Sequence, residues 1–450
     1  MSDHPTVGLS MIVKNGAETI RPCLESVRGV VDQIVVADTG STDNCCEIAR
    51  EFGATVISVP WENHFAHARN AALKPVTTDW VLVIDADEEL DHEARKRVPP
   101  LLNATGVGGY VTPIRNYVLS RFTRAWDRTA LPNDYRHPRA EKAAAFVVHE
   151  NCRLFRRDAE IYFVGRVHEA VEPRIKGLGL KLRPAPFFIH HFGQLSTSQA
   201  REEKSAFYRD LLRLKAEEQP NDPLAWIQLG LEEFEHFGNS EEALKCLDRA
   251  LILEPRASDG WTFKSMVLLD LGRPQEALTA LNQVHRNSNG AALREQLRGD
   301  ALHFIGKLEE SRIAYREALK LGPQDPIVES KLGFVEVRLG HNKAGLTKLQ
   351  RASAAAPALL EVQDRLVKAY ILTGDLLKAA EEAENILSFV AHPKLFLRAA
   401  SIRAQLQQSD RVAEVLTRGL SVFPESPELK AAQQEVMTLQ TSRNVHAAGR

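Results

Sequence analysis

Four apolar runs in the first 85 positions each stop abruptly at polar residues. Val7–Val13 (VGLSMIV) ends at Lys14-Asn15-Gly16, and Gln33–Ala37 (QIVVA) ends at Asp38-Thr39-Gly40-Ser41-Thr42-Asp43. Thr55–Val59 follows, and Trp80–Ile84 (WVLVI) ends at Asp85-Ala86-Asp87-Glu88-Glu89. Short runs this apolar predict strands buried on both faces, as in a parallel sheet. Between them, Thr19–Val30, Asp43–Phe52 and Phe65–Leu73 predict helices. Ile20, Leu24, Val27 and Val31 mark the inner face of the first, and Ser41 or Thr42 is expected to cap the second. The alternation predicts an α/β domain that gathers its polar groups at the carboxyl edge of the sheet. Residues 99–148 are less regular, with extended runs at Gly109–Pro113 and Ala144–Val148; Asn151–Arg156, Ile161–Val164, Glu169–Val171 and Pro186–Gly193 follow.

The second half has a different pattern. Ser196–Glu218 reads as a helical linker ended by Pro220 and Pro223. Gly238, Gly272, Gly306, Gly340 and Gly374 then recur every 34 residues, as do Ala250, Val284, Ala318, Ala352 and Ile386. That period, with Gly at an inter-helix turn, is the tetratricopeptide signature, an all-α solenoid of helix pairs that bury their apolar faces on one another. The expected organisation is 1–195 for the α/β domain, 196–222 for the linker, 223–430 for about five clear repeats plus a degenerate sixth, and 431–450 for a polar tail.

Composition narrows the function. Lys and Arg number 57 against 59 Asp and Glu, and no basic run stands out in the repeats, which argues against a nucleic-acid partner. The five cysteines lack metal-knuckle spacing and fit a reducing compartment. No apolar stretch is long enough to span a membrane, and the polar start MSDHPTVG gives no expectation of a signal peptide. The expected location is cytoplasmic, with any membrane contact peripheral at its inner face.

The chemistry concentrates at the ends of the strands. In an extended segment Asp85 and Asp87 would face the same way, with Ala86 turned aside. Two converging carboxylates repel unless a cation sits between them, and oxygen ligands suit Mg²⁺ or Mn²⁺, above all beside a diphosphate. The same acids would also suit the first turn of a helix. Asp38 is either a turn-capping acid or a partner for a nucleotide. Arg69 is either a surface ion-pair residue or a phosphate contact, a task its fork of donors suits. Between Arg115 and Lys142, seven Arg or Lys face three Asp or Glu, either a solvated loop or a basic cover over a phosphorylated substrate. His190 and His191 follow an apolar run and are candidate ligands for a metal or phosphate. Glu169, after His168, is a candidate acid–base group, with His149-Glu150 as a second. One glycine after the first strand is too few for a dinucleotide fingerprint, and no phosphate loop of the ATPase type occurs.

Taken together, ADTGSTD, FAHARNAAL, DWVLVIDADEEL, GRVHE and IHHFG resemble the bacterial family 2 glycosyltransferases of the GT-A fold, over roughly residues 7–195. The subgroup most similar includes lipopolysaccharide-core glucosyltransferases and relatives with appended tetratricopeptide repeats. The resemblance implies a mixed, mostly parallel GT-A sheet, a nucleotide-sugar donor and inverting transfer. It implies donor contacts from Asp38, Arg69 and Asp85, and a Mg²⁺ or Mn²⁺ ion on Asp87 with His190 or His191. Family 2 enzymes often carry their base in a Glu-Asp pair after the DxD motif. None occurs between Glu89 and Leu195, so Glu169 is the expected base. The acceptor would be a polypeptide or a cell-surface glycan precursor, with a protein or peptide partner on the repeats. The competing reading is an inactive transferase-like scaffold that serves as an interaction module.

Overall fold

A strand that is apolar at every position must find a core on each side. Strand β4 (Trp80–Val83) does so: Trp80 and Leu82 pack into one cluster with Leu9, Met11 and Leu24, while Val81 and Val83 pack into another with Val35, Phe155 and Ile175. It lies beside β1 (Val7–Val13), which pairs in parallel with β4 and with β2 (Gln33–Asp38); β2 in turn pairs in parallel with β3 (Thr55–Ser58). The computed structural model describes residues 4–119, 124–125, 128–133, 137–195, 198–284, 290–323, 325–357 and 359–448. The basic stretch expected between Arg115 and Lys142 therefore lies partly outside the described residues.

The other half of the sheet is mixed. Strands β5 (Glu88–Leu90) and β6 (Val107–Val118) are followed by the two-residue pair β7 (Arg124–Ala125) and β8 (Arg128–Thr129), and by β9 (Leu131–Pro132). Next come β10 (Ala145–Arg156), β11 (Lys181–Pro184) and β12 (Ile189–His191). The main path is β3-β2-β1-β4-β10-β6-β12-β5, with β11 joined to β6 and β9 to β10. β10 runs antiparallel to β4 and β6, and its pairing slips one residue between Cys152 and Leu154. The separate extended runs expected around 109–113, 144–148 and 151–156 are thus two continuous long strands. Ile161–Val164 and Glu169–Val171 meet only through a bridge between Val164 and Ala170.

Helices α1 (Ile20–Ser26), α2 (Cys45–Glu51), α3 (Phe65–Leu73), α4 (Ala94–Arg97) and α5 (Glu172–Gly177) connect the strands. α2 starts after Asn44 without a side-chain cap. Ser41 and Thr42 are used elsewhere. Ser41 Oγ accepts from the Asn15 N–H (2.9 Å), and the Thr42 N–H donates to Asn15 Oδ1 (2.8 Å), tying the β1–α1 loop to the β2–α2 loop.

The first compact unit runs through Pro255. It includes α6 (Ser198–Glu218), α7 (Pro223–Glu235) and α8 (Ser240–Leu253). The stretch expected as a linker at 196–222 is mostly α6, and α6 is packed: Leu211, Leu212 and Ala216 are buried with Val167, Ala225, Leu229 and Cys246. Arg166 forms an ion pair with Glu218.

The second unit starts at Arg256. Its helix pairs are α9 (Ser258–Asp270) with α10 (Pro274–Leu281), α11 (Ala291–Phe304) with α12 (Leu308–Leu321), and α13 (Pro326–Arg338) with α14 (Asn342–Ala355). α15 (Leu360–Leu372) with α16 (Leu376–Ile386) and α17 (Pro393–Gln405) with α18 (Ser409–Val422) complete the pairs, and α19 (Pro427–Ala448) covers most of the stretch expected as a tail. Gly272, Gly306, Gly340 and Gly374 sit between paired helices at φ of 68° to 85°, a conformation only glycine adopts freely. In the last pair Gln407 takes that place at φ 56°, which is where the sequence pattern degenerates. Among the described residues no helix is long and apolar enough to cross a membrane.

Candidate active site

The carboxyl ends of β1 and β4 open onto a cleft of about 960 Å³. Arg69, Asp85, Asp87, Glu169 and His191 all line it, together with Lys14 and Asn15 from the β1–α1 loop. The acids reach it by a turn rather than by strand alternation. β4 stops at Val83, and the Glu88 N–H donates to the Asp85 carbonyl (3.0 Å), so Asp85, Ala86 and Asp87 all line the cleft.

Arg69, on α3, organises the floor. Its Nη2 donates to Asp85 Oδ1 (2.8 Å), and its Nε is paired with Glu169 Oε1. The remaining Glu169 oxygen has no hydrogen-bond partner among the described residues. Arg153 supports Asp85 from β10, with Nη2 3.5 Å from Asp85 Oδ2 and 2.8 Å from Glu88 Oε1. Glu88 Oε2 also accepts from the Asp85 N–H (2.9 Å). Burial pushes the Asp85 carboxyl upward, but the Arg69 and Arg153 guanidiniums outweigh it and hold the group below the usual carboxylate range. Glu88 goes the other way, raised chiefly by burial.

Asp87 meets His191. Nε2 of the ring stands 3.2 Å from Asp87 Oδ2. Burial would raise Asp87, and its contact with His191 overrides that and lowers it. Gly193 leans over the pair: a Cβ there would lie 2.7 Å from His191 Nε2 and 2.9 Å from Asp87 Oδ2, so only glycine leaves this space open. One carboxylate oxygen and one ring nitrogen facing the same small space form a donor set that fits Mn²⁺ or Mg²⁺.

Two expected residues are not in the cleft. His190, offered by the sequence as an equal alternative to His191, alternates to the other face of β12. It is 1% exposed, its Nδ1 is 2.7 Å from the Tyr117 hydroxyl, and its ring stacks with Tyr117 and Phe192. Burial, reinforced by His137 and Arg115, pushes it down to about 3. Asp38 ends β2 beside Val13 and Thr39, which do line the cleft. Its own Oδ1 accepts from the Ser41 N–H (2.9 Å), and its carboxylate lies within 4.8 Å of the Cys45 and Cys46 sulfurs. This is the turn-capping use of an acid. His149 and Glu150, the second acid–base candidate, both line the cleft.

Several residues of the cleft are silent in the sequence. Arg153 reads as one charge in an apolar strand; the register slip beside it leaves it unpaired in the ladder. Lys204, Phe207 and Tyr208 come from α6, and with Trp61 and Phe65 they wall one side. The Trp61 and Phe65 rings meet edge to face at 5.0 Å, and Phe207 lies 5.8 Å from Trp61. The hint in the sequence is the aromatic pair Phe207-Tyr208 within this helical stretch.

Both halves of the chain are similar to known proteins. Residues 9–162 match the model for glycosyl transferase family 2, and residues 233–292 and 265–337 match tetratricopeptide repeat models. The SPbeta prophage-derived glycosyltransferase SunS of Bacillus subtilis is 26% identical over 170 residues, 37% of this chain and 35% of its own length. An uncharacterized glycosyltransferase of Rickettsia felis is 39% identical over 88 residues, 20% of this chain and 31% of its own. A repeat-containing protein of Synechococcus elongatus is 49% identical over 88 residues, 20% of this chain and 22% of its own. The chain thus spans between a fifth and about a third of the length of these relatives. Among solved structures, a tetratricopeptide repeat protein from Parabacteroides merdae matches at 14% identity and a TM-score of 0.42, covering 53% of this chain and 94% of the other. The chain carries a glycosyl transferase family 2 domain joined to tetratricopeptide repeats.

Proposed function

We propose that the cleft transfers a sugar from a nucleotide-sugar donor to an acceptor nucleophile, with inversion at the anomeric carbon. The observation that carries this reading is the gathering of Arg69, Asp85, Asp87, Glu169 and His191 around one cleft at the carboxyl edge of the parallel strands. Asp87 and His191 would hold Mg²⁺ or Mn²⁺, which when bound neutralises charge on the donor diphosphate. Lys14 and Lys204, both exposed and facing the cleft, add positive charge for the departing diphosphate. Asp85, pinned by Arg69 and Arg153, is a fixed negative wall that orients the donor. Asp38 shapes the neighbouring turn at the end of β2. Glu169 is the base: its unpartnered oxygen takes the proton from the acceptor, while Arg69 fixes the carboxylate in place.

The acceptor in this reading is a polypeptide or a glycan precursor, and the repeats hold a protein or peptide partner, a use suited to the extended surfaces such stacks present. The protein works in the cytoplasm or at the inner face of the membrane. Titration calorimetry of the full chain with nucleoside diphosphates and Mn²⁺ tests the donor side. The wild type binds one of them in a metal-dependent manner, and Asp87→Asn loses at least tenfold in that affinity. Equal binding by Asp87→Asn refutes the role given to Asp87.

A further inference from the structure

Asn116, on β6, sits behind the Asp87–His191 pair and has no role in the reading above. Its amide group is fixed by its surroundings. Nδ2 lies 3.2 Å from the Ile114 carbonyl and 3.2 Å from the Val147 carbonyl, and 3.0 Å from His149 Nδ1. Two carbonyl oxygens on that side require the NH₂ group there, since an amide oxygen would face two other oxygens. Oδ1 must then be the atom that faces His191, 2.6 Å from its Nδ1. A carbonyl oxygen only accepts, so His191 carries a proton on Nδ1, which leaves Nε2, 3.2 Å from Asp87 Oδ2, as the ring nitrogen able to give up its proton to a cation. Once Nε2 is unprotonated, it and Asp87 Oδ2 offer two donors to one cation, and Gly193 keeps the approach clear.

We propose that Asn116 is a positioning residue for cation binding, fixing the tautomer and ring plane of His191 so that Nε2 and Asp87 act as one two-ligand arm. The inference rests on the reading of the cleft as metal-dependent.

The probe is Mn²⁺ alone, titrated into the full chain and followed by the electron paramagnetic resonance signal of the free ion. Asn116→Leu keeps the branched four-atom skeleton and removes both the acceptor and the donors. Loss of a partner behind a metal-bound histidine typically costs about 10–100-fold in affinity, and that is the expected loss here. Asn116→Asp restores an acceptor for Nδ1–H, and binding should recover to within a few-fold of wild type. Nitrogen NMR of the imidazole gives an independent readout: His191 is protonated on Nδ1 in the wild type and shifts toward Nε2 in Asn116→Leu. Wild type and Asn116→Leu binding Mn²⁺ alike overturns the role of Asn116 and leaves the metal reading standing. Equal weakening in the Leu and Asp variants also overturns it. A wild type that binds no Mn²⁺ overturns the metal reading and this inference with it.

Discussion

Arg69→Met is the most informative perturbation of the cleft, because Arg69 is shared between two carboxylates. Its side chain is 9% exposed, Glu169 is 11% exposed and Asp85 31%. Breaking a buried ion pair from one side costs about 3–5 kcal/mol, because a charge is left without its partner. Asp85 retains Arg153 at 3.5 Å, so most of the cost falls on Glu169, and the lower end, about 3 kcal/mol, is expected. For a unit of this size that corresponds to a fall of about 6–12 °C in Tm. A two-unit chain does not unfold in one step. Tryptophan fluorescence isolates the relevant transition, since four of the five tryptophans lie at or before position 226. The double variant Arg69→Met with Glu169→Gln removes both charges and should recover more than half of the loss. A single variant within 1 kcal/mol of wild type, or a double variant less stable than the single, refutes the account of Arg69 as the charge that holds the floor together.

Two further outcomes follow from other parts of the first unit. Glu169→Gln should leave nucleoside diphosphate binding unchanged and lower transfer by about 10²–10⁴-fold, the usual contribution of a general base; full transfer by this variant moves the base elsewhere, with Glu150 the next residue to change. Glu232, on α7, is pushed up to about 7 by burial and by its neighbour Glu233, and its Oε1 has no partner. The folded protein therefore holds this proton to higher pH than the unfolded chain does, so stability is fullest below the ordinary value of 4.5 and falls as pH rises toward 7. The loss is at most about 3 kcal/mol. Glu232→Gln should raise the fluorescence-detected Tm at pH 8 by several degrees and leave it nearly unchanged at pH 4.5; an equal change at both pH values rules out the titration.

The amino-acid sequence by itself determined whatever depends on local pattern. Continuous apolar runs specified β1, β2 and β4, because a strand covered on both faces has no polar side to show. The 34-residue recurrence of glycine specified the helix pairs, because each inter-helix turn needs a left-handed residue at the same step. The acids at 85 and 87 stood out because charges directly after a buried strand mark the carboxyl edge of a sheet, and Arg69 because its fork of donors suits a phosphate. Only the tertiary structure decided between His190 and His191, since adjacent residues on a strand take opposite faces and nothing local says which face is the cleft. It alone joined Arg69 to Glu169 and brought Arg153, Asn116 and Tyr208 to the same cavity. Those partners lie from roughly thirty to more than a hundred positions apart in the chain, and their pairing is set by strand order and by the packing of α6, neither of which leaves a periodic trace in the sequence.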